Sequence, residues 1–159
     1  MALWQVHYNA IPRSFYEYSK SNQVDLYEDD WSSIMRIDKD FFFSKLDSFI
    51  ERSWGMSQFQ SWGPSDQSDI GITCNLDKNI IIHISFRLDL RGEIDSFLLP
   101  FLEICREFDF LILDQNENLF EPQIDNFRPS IENSSALKFV ANPIQFITDF
   151  SNGKIKPEN

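Results

Sequence analysis

The stretch "NIIIHISFRLDLRG", residues 79 to 92, constrains the fold more than any other part of the chain. Ile80, Ile82, Ile84, Phe86, Leu88 and Leu90 recur at every second position, the spacing at which a strand sends side chains to one face. Strict alternation of large apolar groups requires a buried face, and each contributes about 1.5 to 3 kcal/mol when fully removed from water. The opposite face then carries Ile81, His83, Ser85, Arg87, Asp89 and Arg91. An all-parallel sheet hides both faces, so this pattern points to an antiparallel sheet covered on one side. The polar comb His83, Ser85, Arg87, Asp89 and Arg91 reads in two ways. Cross-strand ion pairing satisfies it on a wet face, or it forms a ligand or reaction site with an acid or base beside an anion-binding guanidinium.

The segments around this strand supply its partners. In "ALWQVHYNA" the alternation sets Trp4, Val6 and Tyr8 on one side and Leu3, Gln5, His7 and Asn9 on the other, a half-buried strand that stops at Pro12. Residues 13 to 30 show no clear period, and "WSSIMRI" fits a short helix or an edge strand. "DKDFFFSKLDSFIERS" predicts a helix with Asp38 or Asp40 as N-cap and Phe42, Leu46, Phe49 and Ile50 inward. "GMSQFQSWGPSDQSDIGITCNL" reads as a strand, an acidic Gly-Pro loop and a second strand with Ile70, Ile72, Cys74 and Leu76 inward. "EIDSFLLPFLEICREFD" aligns Ile94, Phe97, Leu98, Phe101, Cys105 and Phe108 on one helical face, with Pro100 tolerated if regular helix begins near Ser96. "FLILDQNENLFEP" gives a strand, a polar turn and a short strand. Beyond Pro122 one or two short helices follow, with Pro129 at a helix start and Phe146 and Ile147 closing the core.

The resulting order β, α, β, β, β, α, β, β, α shows no repeat or linker. It predicts a single α+β domain over residues 1–150, mainly an antiparallel sheet with helices packed on one face, and a flexible tail over residues 151–159.

Charge narrows the function classes. Fourteen Lys and Arg stand against twenty-five Asp and Glu, a net charge of −11, and the acids fall in windows without a base. Such a field repels a phosphate backbone and attracts cationic proteins, so a protein partner is expected and nucleic acid is not. Two windows combine acids with tryptophan and are the candidate partner-binding surface: Asp25, Glu28, Asp29, Asp30 and Trp31, and Trp62, Asp66 and Asp69. Trp beside acids makes an adhesive surface, although each such aromatic also reads as core. The N-terminus lacks the pattern of a signal peptide, and no stretch is apolar enough for a membrane span, which predicts a cytoplasmic protein without a membrane partner.

Catalytic motifs are missing. There is no G-x-G-x-x-G, phosphate-binding lysine loop or G-x-S-x-G elbow. Cys74 and Cys105 lie on apolar faces, as reduced structural thiols do. His7 and His83, the only histidines, lack metal-ligand spacing and meet only if their strands pair. The expectation is a non-catalytic protein without metal or cofactor.

The arrangement "IIIHISFRLDLRGEIDSFLLPFLEICREFDFLIL", followed by "LFEP" and "SSALKFVANPIQFI", resembles the small acidic bacterial immunity proteins of polymorphic toxin and contact-dependent inhibition systems. The likeness spans residues 79 to 150 and rests on arrangement, so it carries no site residue with it. It implies an inhibitor that binds and neutralises a cognate toxin domain of basic, nuclease-like character.

Overall fold

The computed structural model describes residues 2–22, 24–26 and 31–155. Its centre is one antiparallel sheet of seven strands in the order β2-β3-β4-β5-β1-β6-β7. The strands are β1 (Gln5–Pro12), β2 (Arg52–Gly55), β3 (Phe59–Trp62), β4 (Asp69–Asn75), β5 (Ile80–Asp89), β6 (Phe110–Asp114) and β7 (Leu119–Phe120). Helices α1 (Arg13–Asn22) and α2 (Lys39–Asp47) fall between β1 and β2, and α3 (Asp95–Glu107) between β5 and β6. After β7 come α4 (Ile124–Asn133), α5 (Ser135–Ala141) and α6 (Pro143–Ser151). The expected α+β class, with an antiparallel sheet and helices against one face, is what the chain adopts.

Pairing registers divide the side chains between two faces. Tyr8 lies opposite Phe86, Val6 opposite Leu88 and Ile72 opposite Ile84, which gathers the apolar sides of β1, β4 and β5 on a first face. Helices close this face through aromatic edges. Phe101 of α3 meets Phe86 at 4.8 Å, Phe127 of α4 meets Tyr8 at 5.0 Å, and Phe43 of α2 meets Trp62 at 4.7 Å. Edge-to-face pairs of this kind stabilise beyond their buried area.

Local chemistry explains the helix limits. Of the two candidate N-caps for α2, Asp38 takes the role and its carboxylate accepts from the Phe41 N–H at 2.8 Å. For α3 the Glu93 carboxylate accepts from the N–H groups of Asp95 and Ser96, a cap that the sequence reading does not include. Helix α3 begins at Asp95, beside the expected Ser96, and tolerates Pro100 in its second turn, whereas Pro129 lies inside α4 instead of at a helix start and removes a backbone bond there. Packing compensates in α3, where Leu98, Phe101, Leu102, Ile104 and Cys105 are all buried.

Four further differences have physical causes. Helix α1, where no element is expected, buries only Phe15 and therefore leaves no apolar stripe to read. Strand β2 is exposed along its length and shows no alternation of burial. In β5 the alternation breaks: Thr73 pairs with His83 but Cys74 with Ile81, a bulge that places one extra residue at Ile82. Ile81 is therefore fully buried and Ile82 only partly, the reverse of the expected parity. Near the C-terminus, Phe146 is buried as expected but Ile147 is exposed. Residues 152–155 fold back, with the Lys154 N–H donating to the Asp149 carbonyl at 2.9 Å, while Lys156 to Asn159 lie outside the described residues.

Phe86 meets Tyr8, Phe101 and Phe127 at once. Phe86→Ala is expected to lower stability by about 3 to 5 kcal/mol, read as a reduced midpoint in urea unfolding.

Candidate functional site

The second face of the sheet holds the comb. His7 pairs in register with Arg87, Asn9 with Ser85 and Asp69 with Arg87, so β1, β4 and β5 place His7, Asn9, Asp69, Gly71, Ser85 and Arg87 side by side. This face is not the open wet side that the alternation suggests. Gln5, Asn9 and Asp69 are buried and His83, Ser85, Arg87 and Asp89 are half-buried.

One end of the face is closed by the β3–β4 connection. The Gln5 side-chain amide donates to the carbonyls of Ser65 and Gln67, and the Trp4 indole N–H and the Arg91 guanidinium both donate to the Asp66 carbonyl. The Arg91 guanidinium also lies over the Trp4 ring at 4.2 Å. Gly63 lets the chain turn into this loop with φ of +82°, where a Cβ would also meet the Ser68 carbonyl at 2.6 Å.

Charges on the second face cancel internally. The Arg87 guanidinium donates twice to the Asp69 carboxylate across β4 and β5, and Arg91 pairs with Asp89 at 2.7 Å. Each arginine of the comb is thereby engaged by an acid. Burial lowers the proton affinity of both histidines; His7 falls to about 4, helped by repulsion from His83 and Arg87. Both imidazoles are neutral at pH 7. They share a face, but the register partner of His7 is Arg87, four positions from His83, and among the described residues no three His, Cys, Asp or Glu side chains assemble a metal site.

Two concavities border this architecture. A trough of about 1030 Å³ lies on the second face, lined by His7, Ser61, Ser85 and Arg87 below and by Trp54 and Phe59 at the side. Its floor depends on Gly71, because a Cβ there would meet the Phe59 ring at 2.9 Å. A groove of about 760 Å³ runs past the end of the sheet between residues 49–53, 63–68 and 89–97. Phe49, Ile50 and Phe97 form its apolar walls, and Glu51 and Glu93 bring acids to it. Glu51 and Glu93, like neighbouring Asp66 and Asp95, have no salt-bridge partner among the described residues.

The expected partner surface is redistributed. Trp31 and Trp62 are 1% and 0% exposed, so neither presents the adhesive surface expected of it. The Trp62 indole N–H donates to the Asp47 carboxylate at 2.8 Å, and the Trp31 ring meets Phe110 at 6.1 Å. Asp69 is the internal counterion of Arg87, which removes it from the accessible acids. Asp25 and Asp66 are exposed, whereas Glu28, Asp29 and Asp30 lie outside the described residues. Trp54, an aromatic that also invites a binding reading but falls outside the two acidic windows, is the exposed tryptophan at 56%, and Phe59, Ser61, Glu51 and Glu93 are the residues near it or the groove that the reading passes over. The β2–β3 hairpin brings Trp54, Phe59 and Ser61 together, and Glu93 joins Glu51 only through the tertiary fold.

Both thiols are buried, and desolvation raises the Cys74 value to about 11 and that of Cys105 further, so neither is a nucleophile at neutral pH. No family model, curated protein or solved structure matches the chain.

Two measurements test the electrostatics. Asp69→Ala, which strands the Arg87 guanidinium, is expected to cost about 3 kcal/mol, while Asp109→Ala, which loosens the exposed pair with Arg13, costs about 1 kcal/mol or less. Between pH 6.5 and about 4 the unfolded chain binds a proton that folded His7 refuses. Stability therefore falls as pH drops through that window, and His7→Asn flattens the dependence of the urea midpoint on pH.

Proposed function

We propose that this chain is a non-catalytic protein-binding module, an immunity-type inhibitor that neutralises a cognate toxin domain of basic character through an acidic surface. The observation that carries the reading is the groove at the sheet end, where acids without an ion-pair partner stand beside apolar walls. Arg13, Lys20, Lys39, Lys45, Arg52, Arg87, Arg91, Arg128 and Lys154 each lie within salt-bridge distance of an acid. Glu51, Asp66, Glu93 and Asp95, which have no salt-bridge partner among the described residues, add to the net charge of −11 and draw in a cationic surface while repelling phosphate. Phe49 and Phe97 supply the apolar contact that turns attraction into residence.

Such a module needs no cofactor and acts in the cytoplasm beside its toxin. Among the described residues no helix is long and apolar enough to cross a membrane. The neutral trough supports a second reading, a ligand-binding domain that uses the polar face around Ser85 and Arg87.

The test is co-purification with the product of the adjacent upstream gene. A stable complex is expected, with an association rate that drops about tenfold or more as salt is raised and with Glu51→Lys/Glu93→Lys slowing association further. A complex indifferent to both salt and charge reversal contradicts the acidic-surface account.

A further inference from the structure

Taking the trough as a ligand site, the second reading above, we propose that it binds a neutral saccharide, stacked on Trp54 and Phe59 and hydrogen-bonded by His7, Ser61 and Ser85. Charge comes first. Arg87 is held by Asp69 through two hydrogen bonds, so an anionic ligand meets a guanidinium already engaged, and a cationic one must compete with it for the same carboxylate. The neutral His7 imidazole adds no net charge and offers one donor and one acceptor. A neutral occupant fits this balance.

Hydrogen-bonding character narrows the class. Ser53, Ser61, Ser65 and Ser85 all line the trough, and a hydroxyl both donates and accepts. The Ser61 hydroxyl donates to the Trp54 carbonyl at 2.9 Å and lies 2.9 Å from that of Ser53, which leaves its oxygen able to accept, and Ser85 reaches the Gly71 carbonyl only at 3.4 Å, a weak bond that a better partner replaces. A ligand rich in hydroxyl groups suits such a lining. A peptide would seek backbone partners, and the backbone groups of β4 and β5 at this floor are already paired with neighbouring strands.

The aromatic wall supplies the remaining part. Trp54 and Phe59 stand 5.8 Å apart at an interplanar angle of 49°, so the rings do not stack on one another, and Trp54 is 56% exposed. A flat nucleobase gains most between parallel rings, whereas the C–H face of a sugar needs a single aromatic surface and keeps its hydroxyls for the polar floor. The trough, at about 1030 Å³, accommodates more than one sugar ring.

The experiment is an amide and indole NMR titration of the full chain with maltotriose, cellotriose and triacetylchitotriose, with adenosine and N-acetyltryptophanamide as controls. At least one trisaccharide is expected to shift the Trp54 indole signal and the amides of Ser61, Gly71 and Ser85 with a Kd of about 1 mM or tighter. Trp54→Ala is expected to weaken that binding about tenfold with the remaining spectrum unchanged, and Phe59→Leu, which keeps bulk over Gly71, to weaken it less. Binding that persists undiminished in Trp54→Ala overturns the proposal. So does response to a control compound without response to any trisaccharide, which refutes the saccharide but keeps the trough as a ligand site. Silence of these residues toward all five probes sinks both.

Discussion

A pleated strand sends neighbouring side chains to opposite faces, and in β5 that constraint decides which residues hold the core and which stand over the trough. Ile84, Phe86 and Leu88 turn inward under α3 and α4, so Ser85, Arg87 and Asp89 must turn the other way. Every neighbouring strand is bound by the same parity through its register, which is why Tyr8 falls beneath Phe127 while His7 falls beside Arg87. The bulge at Ile82 limits the rule to the portion of β5 that forms the trough floor. Beyond it Ile81 joins the core, and the sheet ends in apolar packing at that corner.

How much of this was legible in the sequence depends on how many residues repeat a signal. The long alternation of β5 and the spacing Leu98, Phe101, Cys105 in α3 each carry several concordant positions, and both elements formed where expected. Helix α1 offers Phe15 alone, and β2 offers no buried residue, so neither has a periodicity to detect. Pro129 misled for a different reason. A proline costs helix stability locally, but the burial of Phe127 in α4 outweighs the loss, a tertiary gain that no local rule contains.

The candidate site was less legible than the fold, because it depends on which charges meet. Read along the chain, Asp66 and Asp69 are equivalent members of one acidic window. In the structure Asp69 is the buried counterion of Arg87 and Asp66 remains exposed. The tryptophans divide in the same way: Trp62 is fully buried with only its indole N–H reaching the surface carboxylate of Asp47, while Trp54, eight positions earlier and on the edge strand, stays open to solvent. Linear composition reports totals, and only strand pairing converts totals into surface.

Ser53 of β2 lines both concavities, so the acidic groove and the neutral trough meet along the edge strand. Their chemistry nevertheless differs for a reason rooted in distance from the cations. Arg87 stands in the trough floor beside Asp69, whereas Arg52, which lines the groove, is drawn to Asp47 and leaves Glu51 and Glu93 without a salt-bridge partner among the described residues. A short, exposed and bulged edge strand resists pairing with other chains through its backbone. The groove past the end of β2 and the trough beside it therefore differ in lining, one bringing acids to apolar walls and the other combining hydroxyls with an aromatic ring.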